Sequence, residues 1–590
     1  MKTKDLIRAY FHAVALYIRK APKIIVFVIV SLMISLFPYV NTLILNSIIE
    51  TIQNQAYKAL FILIFGYACF SIIRDLLNNL NQQIIFRTSR EMANALQLQI
   101  QSNVKQVNCL QFEDEQWYQK YRRVDHITGC VHDLFISTVA LLSAMITLVT
   151  YIVYLFELIP YYYALLGLLI IVPALIKSFV FSRQNYFSDR AVEGQRQRAN
   201  DIQGMFLNAN ILKEIQLFFS GKHIITKWRE KVDEVQKQKR NMEIKYSVYC
   251  SFMYLLVGVV VFIILSLVYI NIENVETPTG TMITLIPFML TLVSSFDQTS
   301  NHMDGVFYST QEYKEIQDFL SSCNTSTKPK KETLPNHFYI QLNHVSFRYP
   351  SNDKLVLNDI SLTIQQFETV AIVGQNGCGK TTLLKVIAGL YTPENGQVLY
   401  NNVDAENIEP GEINKKISFA FQQPVKYPFS LKDNVTLLDN NTEQQDNRKI
   451  LREFFDEELY NDDRILSPGY VNSRNISGGQ WQKIGLARSL KNNASSIYIF
   501  DEPTSALDPI AEIEIFQSFS EHTKGKCVIL STHRLGLARQ ADRIIVMDNG
   551  NIVGQGTHNE LIHNCREYRE LYDSQKQWYT MGNEGNDDEK

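Results

Sequence analysis

Hydrophobic positions divide this chain in two. Before residue 300 they gather in long runs; beyond residue 337 they fall into short strand-like segments separated by glycine and polar turns. A membrane-spanning helix needs about twenty mostly apolar residues. Six runs meet that need, near 23–45, 59–79, 134–156, 161–182, 247–271 and 280–300. The second carries Arg74 toward its inner end, and the sixth carries Pro287 and several hydroxyl residues. Ahead of the first run, Leu6, Ile7, Tyr10, Phe11, Val14, Ala15 and Leu16 interleave with Lys2, Lys4, Arg8, Arg19 and Lys20. That spacing predicts an amphipathic helix lying on a membrane surface.

Basic residues set the expected orientation. The loops 157–160 and 272–279 contain no Lys or Arg, and loop 46–58 has only Lys58 at its edge. The long connections 80–133 and 183–246 carry Arg87, Arg90, Lys105, Arg122, Arg123, Arg183, Arg190, Arg196, Arg198, Lys213 and Lys222. These connections and both termini are therefore expected in the cytoplasm, with the chain passing repeatedly through the plasma membrane. Glycine and proline are scarce in the connections, so they read as helices continued beyond the bilayer. Leu110 to Tyr121 and Phe206 to Phe218 would form their tips, mixing aromatic and charged side chains as a docking surface does. The apolar spans hold few charges, which argues against an ion path.

Composition adds limits. A chain of 590 residues is too long for one core. Its net charge of −3 argues against a nucleic-acid binder. The eight cysteines include no C-x-x-C pair, so neither a disulfide framework nor a zinc site is expected.

The chemistry lies in the second half. Thr369 to Val373 reads as a buried strand, Thr381 to Leu390 as a helix, and between them runs Gly374-Gln375-Asn376-Gly377-Cys378-Gly379-Lys380-Thr381-Thr382. The glycines let backbone N–H groups turn inward toward phosphate oxygens. The helix N-terminus adds its positive end. Lys380 is placed for the outer phosphates and Thr381 for Mg2+. G-x-x-x-x-G-K-[ST] arises by chance in roughly 2% of chains this long, so the loop alone would not decide the matter. Ile497 to Glu502 (IYIFDE) forms a second strand ending in two acids. Asp501 suits Mg2+ and Glu502 suits a proton acceptor for an attacking water. Val528 to Leu530 reads as a third strand, and His533 follows its tip. Phe338 to Leu342 and Val345 to Tyr349 read as two further strand-like stretches.

With these segments in order, together with Ile476-Ser477-Gly478-Gly479-Gln480, the chain resembles ATP-binding cassette (ABC) exporters of the half-transporter type. The resemblance implies a multidomain chain. An all-α six-helix transmembrane domain (about 1–320) leads through a linker (321–336) to an α/β P-loop NTPase nucleotide-binding domain (337–576), with an acidic tail (577–590). It implies adenine stacking on Tyr349 and ATP phosphates held by residues 374–382. Mg2+ would be held by Thr381, Gln422 and Asp501, with Gln423 adjacent to the glutamine assignment. Catalytic roles fall to Glu502, His533 and Gln422. Ser477, Gly478, Gly479 and Gln480 would meet the ATP of a second chain, with Asp508 at the dimer contact. Cys378 lies inside the loop, so thiol alkylation is expected to block hydrolysis and ATP to protect. Ser467 to Ser473 lacks the glutamate that many exporters carry just before the signature.

The partners implied are a second copy, or a related half-transporter, and the lipid bilayer. KEIQLFF (213–219) and GGQWQKIGLAR (478–488) are similar to segments of bacterial lantibiotic and peptide exporters, so an amphiphilic peptide is the first expectation for cargo. A lipid or multidrug exporter shares the architecture. A non-pumping, ATP-gated or regulatory membrane protein is a third reading. No N-terminal peptidase domain is evident before the first span.

Overall fold

The computed structural model describes residues 3–158, 171–271, 278–323, 334–335, 338–408, 410–437, 444–467, 470–491, 495–503 and 520–581. Two compact units emerge. One comprises Met1–Gln106 with Lys120–Asn324; the other comprises Val107–Gln119 with Thr325–Lys590.

The first unit is helical throughout its described residues: α1 Thr3–Lys20, α2 Ile24–Ile34, α3 Phe37–Gln53, α4 Tyr57–Val104, α5 Glu115–His126, α6 Cys130–Leu158, α7 Ile171–Met205, α8 Ala209–Leu217, α9 Gly221–Asn271 and α10 Pro278–Cys323. α5 begins in the segment that belongs to the second unit. Among the described residues, four helical stretches are long and apolar enough to cross a membrane: Ile24–Ile52, Tyr57–Val104, Cys130–Tyr154 and Gly221–Leu267. The fourth and sixth predicted runs fall partly on residues whose backbone or side chains lie outside the described set.

The first run, expected as a single span, is broken into α2 and α3. Pro38 stands at the start of α3. It has no N–H to continue the ladder, and its ring crowds the carbonyl four residues back. Thr147 Oγ1 on α6 donates to the Ser35 carbonyl at 3.1 Å, so a backbone group at the break finds a partner on a neighbouring helix. α4 has 48 residues and α9 has 51, about 72 and 77 Å long at the usual rise. Both outrun a bilayer and continue well into the polar connections. Their apolar stretches leave Phe61, Phe65 and Ile72, and Val248, Phe252 and Phe262, exposed. Lipid is the medium that would cover such a surface.

α1 is held by a face the sequence did not advertise. Small Ala9 and Ala13 are buried with Tyr17, while bulky Ile7 and Phe11 stay exposed. Tyr17 Oη lies 2.6 Å from His132 Nδ1, and His12 Nδ1 lies 2.6 Å from Tyr313 Oη. The small residues let the helix approach closely; the exposed pair keeps an apolar face for a membrane surface.

The second unit holds two sheets. Strand Ile340–Phe347 (β1) joins Leu357–Ile364 (β2), Asn395–Tyr400 (β4) and Val403–Asp404 (β5) in the order β2-β1-β4-β5. The two stretches expected at 338–342 and 345–349 are one strand, bulged at Asn343–His344, where the register to both neighbours shifts. Thr369–Gly374 (β3), Ile417–Ala420 (β6), Ile497–Asp501 (β7), Cys527–Ser531 (β8), Arg543–Asp548 (β9) and Asn551–Gly556 (β10) form a six-stranded sheet ordered β10-β9-β3-β8-β7-β6. Pairing is parallel except between β9 and β10. Val370 and Ile372 face one core; Ala371 and Val373 face the other. Alternation with both faces apolar is the mark of a covered parallel sheet.

Three expected boundaries move. Residues 107–119, which overlap the expected tip of a cytoplasmic connection within the 1–320 domain, pack with the ATPase body. α10 runs to Cys323, past the expected linker start, because an apolar helix face outlasts the polar turn signal. The last helix, Arg566–Met581 (α13), extends five residues into the expected tail, from 577 to 581.

The bulge of β1 makes a sharp prediction. Gly396 sits at φ +83°, and a Cβ there would lie 2.3 Å from the His344 carbonyl oxygen and 2.4 Å from that of Asn343. Backbone cannot yield as a side chain can. Gly396→Ala should destabilise the ATPase body by about 2–4 kcal/mol, read as a fall in its unfolding temperature.

Candidate functional site

The site lies where the parallel strands end. β3 runs into the glycine loop, and Lys380–Ile387 (α11) leaves it. Gly377 and Gly379 have φ of +82° and +108°, the left-handed region that bends the loop around its own N–H groups. Lys380 is buried, and its Nζ donates to the carbonyls of Gly374 (2.9 Å) and Gln375 (3.0 Å). The ammonium is thus held over the loop.

Asp501 closes β7 and is 2% exposed. A buried carboxylate must find donors. Thr381 Oγ1 supplies one at 3.1 Å, and Ser531 Oγ, at the end of β8, supplies another at 2.6 Å. Two strand ends and the start of α11 therefore converge on one carboxylate. Glu502, expected as the last strand residue, instead lies just past it at φ +45°. Its N–H donates to the Ser531 carbonyl at 3.2 Å and to Ser531 Oγ at 3.1 Å. This turn aims the side chain away from the strand line. Backbone of this kind is costly for a non-glycine residue and collects at functional sites. Gln422 Nε2 donates to Glu502 Oε2 at 2.7 Å, so Gln422, and not Gln423, is the one of the pair that reaches this carboxylate. His533 Nδ1 stands 3.6 Å from the same oxygen.

Oxygen donors from Thr381, Asp501 and Gln422 suit Mg2+, which takes one or two carboxylates and leaves the remaining positions to water and phosphate. The donor set fits: one buried carboxylate and a hydroxyl already lie in contact. Mg2+ bound here would neutralise phosphate charge.

Tyr349 Oη lies 3.1 Å from Thr382 Oγ1, and its ring meets Phe347 and Tyr391 edge to face. It lines a cleft of about 530 Å3 with Leu110, Arg348, Pro350, Thr392 and Glu394. Residues 107–119 reach the same place. Tyr391 Oη donates to Glu113 Oε1 at 2.7 Å, and Ser351 Oγ donates to the Glu113 carbonyl at 3.2 Å. Asn108 Nδ2 donates to Thr392 Oγ1 at 3.3 Å. The other expected tip leaves Leu207, Leu217, Phe218 and Phe219 exposed.

The signature stands apart from this group. Ser477 caps Gly478–Leu490 (α12), forming a capping box with Gln480. Among the described residues, no hydrogen bond joins 477–480 to the loop 374–382. Asp508 lies outside the described residues. Sequence reading missed Ser531, which anchors both acids, and Gln575 of α13, whose Oε1 accepts from Leu535 N at 3.0 Å and whose Nε2 donates to the His533 carbonyl.

A parallel-sheet body with this loop and paired acids, on a chain with helices long and apolar enough to cross a membrane, is built as an ATPase coupled to transport is. Residues 357–505 match the family described as "ABC transporter". Along its length the chain is similar to the subtilin transport ATP-binding protein SpaT of Bacillus subtilis, 27% identical over 564 residues, covering 93% of this chain and 90% of that one. It is 34% identical over 308 residues to the nisin transport ATP-binding protein NisT of Lactococcus lactis subsp. lactis, covering 50% of this chain and 51% of that one. A toxin RTX-III translocation ATP-binding protein of Actinobacillus pleuropneumoniae is 38% identical over 256 residues, 42% of this chain and 35% of that one. Among solved structures, a bacterial Atm1-family ABC exporter with ATP bound superposes with a TM-score of 0.76 at 16% identity, covering 94% of this chain and 98% of that one. The fold is therefore that of an ABC exporter.

Cys378 is buried within the loop. It is 5% exposed, and burial pushes its thiol up from the ordinary value, with Lys380 opposing. A raised thiol pKa means less thiolate at neutral pH. In a maleimide time course read by mass spectrometry at pH 7, exposed Cys109 should label at least tenfold faster than Cys378, and the gap should narrow as pH rises.

Proposed function

We propose that the chain is an ATP-driven membrane exporter that works as a pair, each ATP bound between the loop 374–382 of one copy and the signature 477–480 of the other. Gly478 is the observation that carries this reading. It has ordinary helical backbone, and a Cβ there would meet nothing within 4 Å. Nothing among the described residues accounts for the missing side chain. Glycine at the first turn of a helix costs stability, so the space serves something outside the chain. The N–H groups of Gly478 and Gly479 also head α12 with no hydrogen-bond partner among the described residues. Such a helix end suits a phosphate. The partner is a second copy of this chain or a related half-transporter.

In the proposed reaction Glu502 takes the proton of a water whose oxygen bonds to the γ-phosphorus. The bond to the oxygen bridging to the β-phosphate breaks, and ADP leaves. Gln422 and His533 hold Glu502 and the water in register. Tyr349 stacks the adenine, and the loop 374–382 with Lys380 holds the phosphates. Asp508 is assigned to the dimer contact. ATP binding joins the two bodies and turns the membrane halves outward; hydrolysis releases them. The exposed tip at 206–219 is assigned to docking. The domain limits of part-transmembrane and part-ATPase, six spans, cytoplasmic termini and a plasma-membrane location belong to the same proposal. For cargo, similarity to the subtilin and nisin transport proteins favours a lantibiotic-like peptide. A lipid or multidrug cargo is the second reading, favoured by nothing more than shared architecture.

Two variants test this in lipid nanodiscs. Gly478→Ala should leave the unfolding temperature equal or slightly higher yet lower ATPase kcat by at least tenfold. Loss of stability with activity retained would place Gly478 in the fold instead. Glu502→Gln should bind ATP, lose at least 100-fold in turnover and stay closed as a pair by cross-linking. For cargo, the ATPase should rise with a candidate peptide and not with hydrophobic drugs, and uphill peptide flux in sealed vesicles would exclude a gate.

A further inference from the structure

The loop that carries His533 has little holding it. β8 ends at Ser531, and the next helical turn begins at Leu535. Thr532 N donates to the Ile372 carbonyl of β3 at 3.1 Å, and Arg534 N donates to Thr532 Oγ1 at 2.9 Å. The two groups between and beyond them go to one side chain. Gln575 Nε2 donates to the His533 carbonyl, and Gln575 Oε1 accepts from Leu535 N at 3.0 Å. A single amide thus grips the backbone on both sides of Arg534. The His533 side chain is 48% exposed, and its imidazole has no hydrogen bond among the described residues. Its 3.6 Å approach to Glu502 Oε2 is therefore set by where the loop backbone lies.

Gln575 is in turn fixed by the body. α13 is anchored by Tyr568, which is 0% exposed and whose Oη meets His558 Nδ1 at 2.8 Å, and by Leu571 against the core beneath the sheet. Gln575 and Leu571 line a cleft of about 220 Å3 together with His533 and with Gly374, Gln375 and Asn376 of the phosphate loop. α13 therefore stands against both the loop that holds phosphate and the loop that holds the histidine.

We propose that Gln575 is a positioning residue for hydrolysis: α13 uses its side-chain amide to hold the His533 loop in register with Glu502, so the C-terminal helix sets the turnover rate. The proposal rests on the reading of Glu502 and His533 as the hydrolytic pair. Arginine or lysine could not replace this residue, because the clamp needs a donor and an acceptor on one planar group. Glutamate keeps the acceptor but sets a carboxylate against a carbonyl oxygen.

The test uses the full chain in nanodiscs, with parent, Gln575→Ala and Gln575→Glu. Both variants should lose three- to tenfold in ATPase kcat while KM for ATP stays within twofold and the unfolding temperature within about 2 °C. Hydrogen exchange should quicken in a peptide covering 532–538 and stay unchanged over 374–384. Unaltered kcat, or KM rising as kcat falls, would overturn the proposal. So would unaltered exchange over 532–538. Exchange is read without turnover, so a parent that fails to hydrolyse ATP sinks the functional reading alone, and the clamp is still judged.

Discussion

One buried carboxylate organises the ATPase body. Asp501 sits at the end of β7 with almost no contact with water. In such a place an ionised group is tolerated only if donors surround it. The donors come from the two neighbouring chain segments, Thr381 at the start of α11 and Ser531 at the end of β8. Satisfying this charge therefore fixes the distance between the phosphate loop and the β8 end. It also fixes Glu502, whose N–H is bound to the same Ser531. The left-handed backbone at Glu502 is unfavourable in isolation, and the double hold on its N–H is what maintains it. Structural need and chemical need coincide on two adjacent strand ends and the first turn of α11.

What the sequence made legible follows from how each signal is written. The phosphate loop, the acid pair and the signature are strings of neighbouring residues, so their order alone announces them. The alternation of β3 and β7 gives away the buried sheet for the same reason. Contacts made by a side chain on distant backbone leave no string. Gln575 grips His533 and Leu535 from about forty residues away, and Glu113 meets Tyr391 from 278 residues away. Neither residue differs in type from the solvated Gln and Glu around it. The α1 contact was hidden for a different reason: the buried stripe is alanine, and alanine weighs little in an apolar pattern that also contains Ile7 and Phe11. The break before Pro38 was written plainly but was outweighed by the length of the apolar run.

Residues 107–119 show how a segment can belong to one half in sequence and to the other in packing. Asn108 caps its short turn, its side chain accepting from Leu110 N while its amide donates to Thr392. Glu113 then bonds through its side chain to Tyr391 and through its carbonyl to Ser351. Tyr391 stacks on Phe347 at a 6° interplanar angle, and Phe347 meets Tyr349 edge to face. Close-packed aromatic rings have few alternative arrangements. The position of Tyr349 beside Thr382 is thus tied to the position of Glu113 by rigid contacts.

The signature raises a question of competition. Ser477 is needed as the cap of α12, and the resemblance to ABC exporters also assigns its hydroxyl to a phosphate. A hydroxyl has one donor and two acceptor positions. The cap uses only an acceptor, since Ser477 Oγ receives the Gln480 N–H at 3.2 Å. The O–H remains able to donate. Gln480 returns the favour through Oε1 to Ser477 N at 2.9 Å, which leaves its side-chain amide donor unspent as well. The capping box thus fixes the direction of Ser477 while preserving its donor, and the two N–H groups of Gly478 and Gly479 point along the same helix end. The arrangement that stabilises α12 also keeps these donors available at its first turn.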